Sequence, residues 1–441
     1  MAMPAELISE VSLAKEGLAI LDALFTHFPA PNFQVRLWDG SLWGATEQPR
    51  FTLVLNHPAA LRRMFLSATE SSLGEAYVCN DFNVEGSIEA AMELADALVQ
   101  PGFDLSSKLH LVALLKRLPE RNHRAQPARL PGWIHSRDRD RRAIAYHYNL
   151  PTDFYRLFLD QRLVYSCAYF ERPQDDLDTA QFHKLDYLCR KLRLRPGHRL
   201  LDVGCGWGAL VLHAARHYGV NALGVTISAP QAAEARRLIE IAGLSARCRV
   251  EVCDYRDLDK RERYDRIVSV GMFEHVGEKM FPEYFSRAWQ LLEPGGVFLN
   301  HGIAYNANYH RKGESFTNQY VFPDGELVPI HVTARAAEQA GFEIRDVESL
   351  REHYALTLRH WVKRLESCEQ QAIRISNEQT YRIWRLYMAG SAHGFHTGRL
   401  NLYQVLLAKP DHGHTGLPLT REDWYDGPLV PETRKDAGQP M

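Results

Sequence analysis

The sequence predicts an α/β protein: a doubly wound sheet with a helical lid inserted late, plus a smaller α+β domain at the N-terminus. Three observations carry that prediction. The stretch H-R-L-L-D-V-G-C-G-W-G (198–208) runs from an apolar strand into glycines 204, 206 and 208, then into a helical pattern from Ala209. Beyond it strands and helices alternate, the pattern of a parallel sheet covered on both faces. The last strand, Leu402–Ala408, arrives only after two helical stretches at 354–366 and 377–395.

Residues 6–28 place Leu7, Val11, Ala14, Leu18, Leu21, Phe25 and Phe28 at spacings of four and three, which predicts an amphipathic helix. Its polar face carries Glu6, Glu10, Glu16 and Asp22 against Lys15. A helix made for an anionic membrane would be basic, so the stripe packs on its own domain or on a second subunit. Phe33, Val35 and Leu37 then alternate with polar residues up to Asp39-Gly40, a hairpin signal. Another strand (51–55) and helices at 57–68 and 87–99 complete an N-terminal domain over 1–105. A basic segment, 106–142, follows. Lys116, Arg117, Arg121, Arg124, Arg129, Arg137, Arg139, Arg141 and Arg142 face few acids, and prolines interrupt at 119, 127 and 131. It reads either as a solvated linker or as an element drawn to anionic lipid, at about 1 kcal/mol per basic residue near the surface. The catalytic domain spans 143–409, with strands at 200–204, 221–227, 248–253, 265–270, 296–301 and 343–348 before the last. A tail, 410–441, packs only if Trp424 and Tyr425 pin it.

The 441 residues suit two domains. A net charge of −2 sets up no field that favours nucleic acid. The seven cysteines are odd in number and contain no C-x-x-C pair, which points to reduced thiols in the cytoplasm and to no metal site. Neither a secretory leader nor an apolar run of about 18 residues is visible. Any contact with lipid is therefore expected from the surface, at the inner face of the membrane.

A strand–glycine–helix turn sits at the carboxyl end of a strand, where open α/β sheets bind ligands. Glycine alone lets the backbone turn so sharply and approach a ligand so closely. The spacing G-x-G-x-G, with Asp202 two residues earlier, departs from the dinucleotide pattern G-x-G-x-x-G. It resembles the motif of class I S-adenosylmethionine methyltransferases. Next to Gly204, Gly206 and Gly208, the following strand ends without a carboxylate. Thr226, Ser228 and Gln231 offer polar groups to a ribose, although Ser228 serves equally as a helix cap. Asp254, followed by Tyr255, ends the third strand and is placed to accept from an adenine amino group. The aromatic block H-Y-N-L-P-T-D-F-Y (147–155) suits a sulfonium cation, which is attracted to ring faces, or simply covers a sheet edge.

These blocks recur in order with Y-S-C-A-Y-F (165–170), G-V-T-I-S (224–228), V-G-M-F-E-H-V-G (270–277) and Q-Y-V-F-P-D-G (319–325). Together they resemble the cyclopropane-fatty-acyl-phospholipid synthase family, which includes the mycolic acid cyclopropane synthases. The likeness is strong over about 140–408 and looser in the N-terminal domain, through V-R-L-W-D-G and G-E-A-Y-V. It implies methylene transfer from S-adenosylmethionine to the cis double bond of an unsaturated phospholipid chain, at a membrane surface and by a homodimer. It adds Tyr148, Tyr165 and Ser166 to the cofactor candidates. It also implies a bound bicarbonate as base, held by Cys167, Glu274, His301, Tyr354 and the backbone of Ile303.

The chemistry gives that implication a reason. An alkene is a weak nucleophile and must be aligned with the sulfonium methyl in a dry site. A base must then take a proton from the new methyl group to close the ring. Glu274 and His301 follow strands on the ligand face of the sheet, and together an imidazole donor and a carboxylate acceptor hold HCO3−. His275 is the competing partner for Glu274, and a buried Cys such as Cys167 often serves only packing. Aromatic candidates for an acyl tunnel are Phe273, Phe316, Tyr320, Phe322, Trp361, Trp384, Tyr387 and Phe395, which equally suit a core. One departure stands out: Ser391 occupies a late-helix position where family members often carry cysteine. It keeps open a same-family reading, a C-methyltransferase that leaves a methyl or methylene branch. A noncatalytic lipid-binding protein and a nucleic-acid methyltransferase fit less well, since both motif sets are intact and no N-P-P-Y-like motif occurs.

Overall fold

The computed structural model describes residues 5–25, 32–67, 69–99, 105–121, 125–128, 130–148, 150–309 and 315–425. Phe28, Arg124, Arg129, Asn149 and the tail beyond Tyr425 lie outside the described residues. The chain folds as two compact units, one built from 1–128, 312–321 and 377–393, the other from 129–311, 322–376 and 394–441.

The first unit holds a four-stranded sheet in the order β2-β1-β3-β4. Strands β1 (Gln34–Arg36) and β2 (Leu42–Gly44) form the expected hairpin, closed where Gly40 N–H donates to the Leu37 carbonyl at 3.0 Å. Strand β3 (Phe51–Leu55) buries Phe51, Leu53 and Leu55 on one face and pairs with β4 (Phe82–Gly86). The N-terminal helix, Ala5–Phe25, buries Ala14, Ile20, Leu21, Leu24 and Phe25. Leu18 of the predicted stripe stays half-buried, and Gly17 faces Leu37 and Trp38 instead. The described part of the stripe is thus used inside its own unit.

Two segments distant in sequence complete this core. Arg382, buried, donates to the carbonyls of Tyr77 and Phe82, and Arg385 donates to Tyr77 Oη and the Val84 carbonyl. These bonds replace part of the hydration that burial takes from the guanidinium groups. Gly74, the glycine of G-E-A-Y-V, lies on the helix Glu70–Val78 against the Phe316 ring.

The second unit is a seven-stranded sheet in the order β10-β11-β9-β8-β5-β6-β7. Its strands are β5 (Arg199–Val203), β6 (Asn221–Thr226), β7 (Cys248–Val252), β8 (Tyr264–Val270), β9 (Leu292–Tyr305), β10 (Glu343–Ser349) and β11 (Leu400–Ala408). Strands β5 to β9 pair in parallel. The expectation of a parallel sheet is corrected at β11, which lies between β9 and β10 and runs antiparallel to both. Leu400 pairs with Tyr305, so the chain enters β11 at the end where β9 leaves and has to run back along it.

The basic segment, 106–142, overlaps the helices Leu105–Leu115 and Arg137–Tyr148. Arg137 pairs with Asp257 at 2.6 Å, and Arg139 forks onto Asp324. At the other end the segment after β11 is pinned as its aromatics suggested. Trp424 is buried, Tyr425 Oη meets Tyr187 Oη at 3.0 Å, and Arg421 pairs with Asp346 at 2.6 Å.

A methyl group at Gly74 would lie 2.4 Å from the Phe316 ring. Overpacking of this kind costs about 1–3 kcal/mol, more than the roughly 1 kcal/mol that alanine gains in a helix. Gly74→Ala is expected to lower the thermal midpoint, and adding Phe316→Leu to restore most of it. Equal melting of Gly74→Ala and wild type would refute this packing.

Candidate cofactor cleft and buried acid–imidazole site

The glycine turn opens a cleft in the second unit. Gly204, Gly206 and Gly208 all have positive φ, at 83°, 53° and 84°, a region costly for any side chain. The amides of Gly204 and Cys205 both donate to the Val225 carbonyl, which ties the turn to β6, and Gly208 caps the helix Ala209–Tyr218. A Cβ on Gly204 would sit 2.8 Å from Met272. The cleft, about 160 Å³, is lined by Tyr148, Tyr165, Ser166, Gly204, Gly206, Thr226, Gln231, Asp254 and Tyr255 among the candidates.

Two candidates lie off the lining, each with a local reason. Gly208 starts the helix, and Ser228 caps the helix Ala229–Ile241 by accepting from Gln231 N–H. Thr226 and Gln231 face the cleft bonded to each other at 3.0 Å. Asp254 is engaged as well. Burial would raise its pKa, but Arg256 grips both carboxylate oxygens and holds it below the ordinary range.

Lys184 and Asp202 also line the cleft, and the sequence reading passed over both as site residues. Lys184 is buried, its Nζ donates to Ser166 Oγ at 3.0 Å, and burial pulls its pKa down to about 8. Asp202 is pushed up to about 7 by burial, against the pull of Lys184. A lysine on an apolar helix face, Leu177–Lys191, was the signal available for the first.

Aromatic rings lead away from the cleft. Tyr148 contacts Trp207 and Tyr165, Tyr165 packs on Trp361 at 5.2 Å, and Trp361 meets Tyr354, which packs on Phe395 at 4.7 Å. Of the tunnel candidates, Phe273, Phe322, Trp361 and Phe395 fold in the second unit, and Phe316, Tyr320, Trp384 and Tyr387 in the first. Ser391 is half-buried on the helix Glu378–His396.

The five residues that the family likeness assigns to a base are linked through strand pairing and backbone hydrogen bonds, and Glu274 and Ile303 among them are in direct contact. Glu274 and His301 are both buried. Glu274 Oε1 accepts from the Ile303 amide at 2.7 Å, so that amide is committed to orienting the carboxylate. His301 and Ile303 lie two apart on β9, hence on one face. Ile303 pairs with Leu402, whose carbonyl accepts from Leu350 N–H. The Leu350 carbonyl in turn accepts from Tyr354 N–H and lies 3.8 Å from Cys167 Sγ. Burial drives the Cys167 thiol far above its ordinary pKa, so it stays protonated. His275, the competing partner, lines the cofactor cleft and packs toward Phe322.

Two atoms of this cluster are unsatisfied. Glu274 Oε2 and His301 Nε2 are buried without a hydrogen-bond partner among the described residues. Buried polar atoms are seldom left so. Burial pushes the Glu274 pKa up to about 7 and, together with the cations Lys184 and Lys191, holds His301 well below the imidazole range. His301 is therefore a neutral imidazole and Glu274 a carboxyl group poised between its two forms.

With this geometry in place, the comparisons with known proteins are decisive. A family model described as mycolic acid cyclopropane synthetase matches residues 135–405, well over half of the chain. The chain belongs to this family. A second model, for a domain of unknown function, matches residues 20–100. Within the mycolic acid cyclopropane synthetase family, cyclopropane mycolic acid synthase 1 of Mycobacterium tuberculosis is 39% identical over 275 residues, 60% of this chain and 95% of that one. A probable fatty acid methyltransferase of Pseudomonas putida is 39% identical over 404 residues, 90% of this chain and 97% of its own. The crystal structure of a mycolic acid cyclopropane synthase complexed with SAH and CTAB matches with a TM-score of 0.58 at 37% identity, over 60% of this chain and 97% of that one. The second unit thus carries the class I methyltransferase fold, with S-adenosylmethionine as cofactor.

A carboxyl whose folded-state pKa lies above its ordinary value of 4.5 stabilises the fold fully below that value. The contribution is lost as pH rises through about 7. Its size is on the order of 3 kcal/mol for a fully buried group. Glu274→Gln is expected to remove this loss, so its unfolding free energy should gain on wild type from pH 5 to 8.5. Denaturant titrations that run parallel across that range would contradict the raised pKa.

Proposed function

We propose that the protein transfers a methylene from S-adenosylmethionine to the cis double bond of unsaturated phospholipid acyl chains and closes a cyclopropane ring. The observation that carries this reading is that Glu274 Oε2 and His301 Nε2, on two residues that the family likeness assigns to a base, are each buried without a hydrogen-bond partner among the described residues. Bound S-adenosylmethionine supplies a methyl group on a cationic sulfur. Gly204 and Gly206 would leave room for its close approach, and Tyr148, Tyr165 and Trp207, which line the cleft, would offer aromatic rings to the positive charge.

Methyl transfer breaks the sulfur–carbon bond, forms a carbon–carbon bond and leaves positive charge on the acyl chain. Losing a proton from the new methyl group then closes the ring. Bicarbonate fits the orphaned pair as the small base for that proton, because one end of the site donates and the other accepts. Glu274, its Oε1 fixed by Ile303, presents Oε2 as the atom that takes up a proton near neutral pH. His301 presents Nε2. Cys167 remains a thiol and adds no competing nucleophile.

The phospholipid substrate implies work at a membrane surface. No described helix is long and apolar enough to cross a membrane. Support for surface attachment comes from Trp133 and Ile134, 88% and 62% exposed, on a turn beside the arginines of the helix Arg137–Tyr148. Tryptophan and arginine together suit the boundary between headgroups and acyl chains.

A second reading, transfer of a methyl group without ring closure, draws on the Pseudomonas putida relative. That protein bears the name fatty acid methyltransferase and matches nearly the whole chain. Product analysis separates the two. Vesicles of monounsaturated phospholipid are incubated with the protein and methyl-labelled S-adenosylmethionine, and the released chains are weighed before and after mild hydrogenation. The expected product gains one carbon and takes up no hydrogen. A product that takes up hydrogen overturns ring formation in favour of the branched chain. Glu274→Gln is expected to bind the cofactor normally and to lose about 10²- to 10⁴-fold in turnover, the usual worth of a positioned acid or base.

A further inference from the structure

Behind His301 lies a buried polar chain that the reaction as described does not use. Gln404 sits directly opposite His301 on the antiparallel pair β9–β11. Its amide nitrogen lies 3.2 Å from His301 Nδ1, and its amide oxygen lies 2.9 Å from Lys191 Nζ. Lys191 is 1% exposed and paired with Glu348, and the rings of Tyr187 and Trp424 cover it at 4.7 and 5.2 Å. Asp346, which pairs with Arg421, stands 3.7 Å from the same ammonium.

The geometry points to Lys191 and Gln404 as positioning residues that lock His301 in one tautomer, with its proton on Nε2 facing the base pocket. An ammonium only donates, so the atom of Gln404 beside it is the oxygen. Turning the amide over would set NH2 against NH3+ in a buried site, two donors with nothing to accept. The NH2 group of Gln404 therefore faces His301. An amide nitrogen only donates, so Nδ1 accepts and carries no proton. The ring is neutral, hence its single proton is on Nε2. Nε2 is the atom left buried without a partner.

The lock matters for the chemistry proposed above, and its functional weight rests on that reading. In the proposed site a small oxyanion needs a donor from His301, because Glu274 supplies an acceptor. The other tautomer would present a lone pair to the anion. Trp424, on the segment that follows β11, shields the cation that sets the whole chain. The last described helix, Glu422–Tyr425, is thereby connected to a catalytic proton some way along the fold.

The test reads the tautomer itself. Protein labelled with 15N-histidine is examined by NMR near pH 7.5 without lipid, and His301 is assigned by the signal lost in His301→Asn or, independently, in His301→Gln. The expected spectrum shows Nε2 protonated and Nδ1 bare. Gln404→Glu keeps the shape but makes both ends acceptors, so Nδ1 should gain a proton. Turnover should then fall about 10- to 100-fold, as when a partner orienting a ligand histidine is removed. The dissociation constant for S-adenosylmethionine should change less than about twofold, and that binding also reports that the variant is folded. A wild-type Nδ1 that carries the proton overturns the inference, whatever the activity. So does a Gln404→Glu variant with unchanged His301 signals. If the tautomer is as stated but no lipid product forms, the lock stands and the proposed reaction falls.

Discussion

The pairing of β9 with β11 is the constraint on which the site depends. Leu400 to Ala408 pair without interruption against Tyr305 to Val297. One register step turns a strand's side chains to the other face. A slip here would take Gln404 away from His301 and Leu402 away from Ile303, and with them the tie through Leu350 to Cys167 and Tyr354. Because β11 is flanked by β9 and β10, a buried, doubly paired strand sets this register.

Burial then supplies the electrostatics, and its outcome depends on the partner. Asp254 and Glu274 are both buried carboxylates. Arg256 keeps the first ionised, whereas burial pushes the second up to about 7 against the pull of backbone amides alone. Lys184 and Asp202 show the intermediate case at the cofactor cleft, two opposite charges in one dry region, each shifted toward its neutral form. The fold thus separates a fixed ionic layer near Asp254 from a protonatable centre at Glu274. Acid–base chemistry at neutral pH needs the latter.

Much of this was legible in the sequence because its signals are local. The glycine turn needs positive φ at three positions within five residues, and only glycine meets that demand cheaply. The five parallel strands announced themselves as short apolar runs between helices. Glu274 was legible as the turn after β8, whereas His301, expected at a strand end, lies with Ile303 inside β9, which runs on to Tyr305. What escaped needed long-range register. Nothing near Ile303 says that its amide is taken by Glu274, and nothing near Gln404 says that it faces His301. The direction of β11 was missed because an apolar strand reads the same either way. Arg382 and Arg385 look like ordinary helix arginines until their carbonyl partners, some 300 residues earlier, are in place.

The central claim is that Glu274 and His301 hold a small oxyanion that serves as base. Its most direct test is turnover on monounsaturated phospholipid vesicles in buffer stripped of carbon dioxide, with bicarbonate added back at constant pH and ionic strength. The account predicts activity that falls on stripping and returns with bicarbonate in a saturable way, with Glu274→Gln inactive throughout. Full activity in stripped buffer, indifferent to added bicarbonate, would contradict it and leave the orphaned pair to another guest.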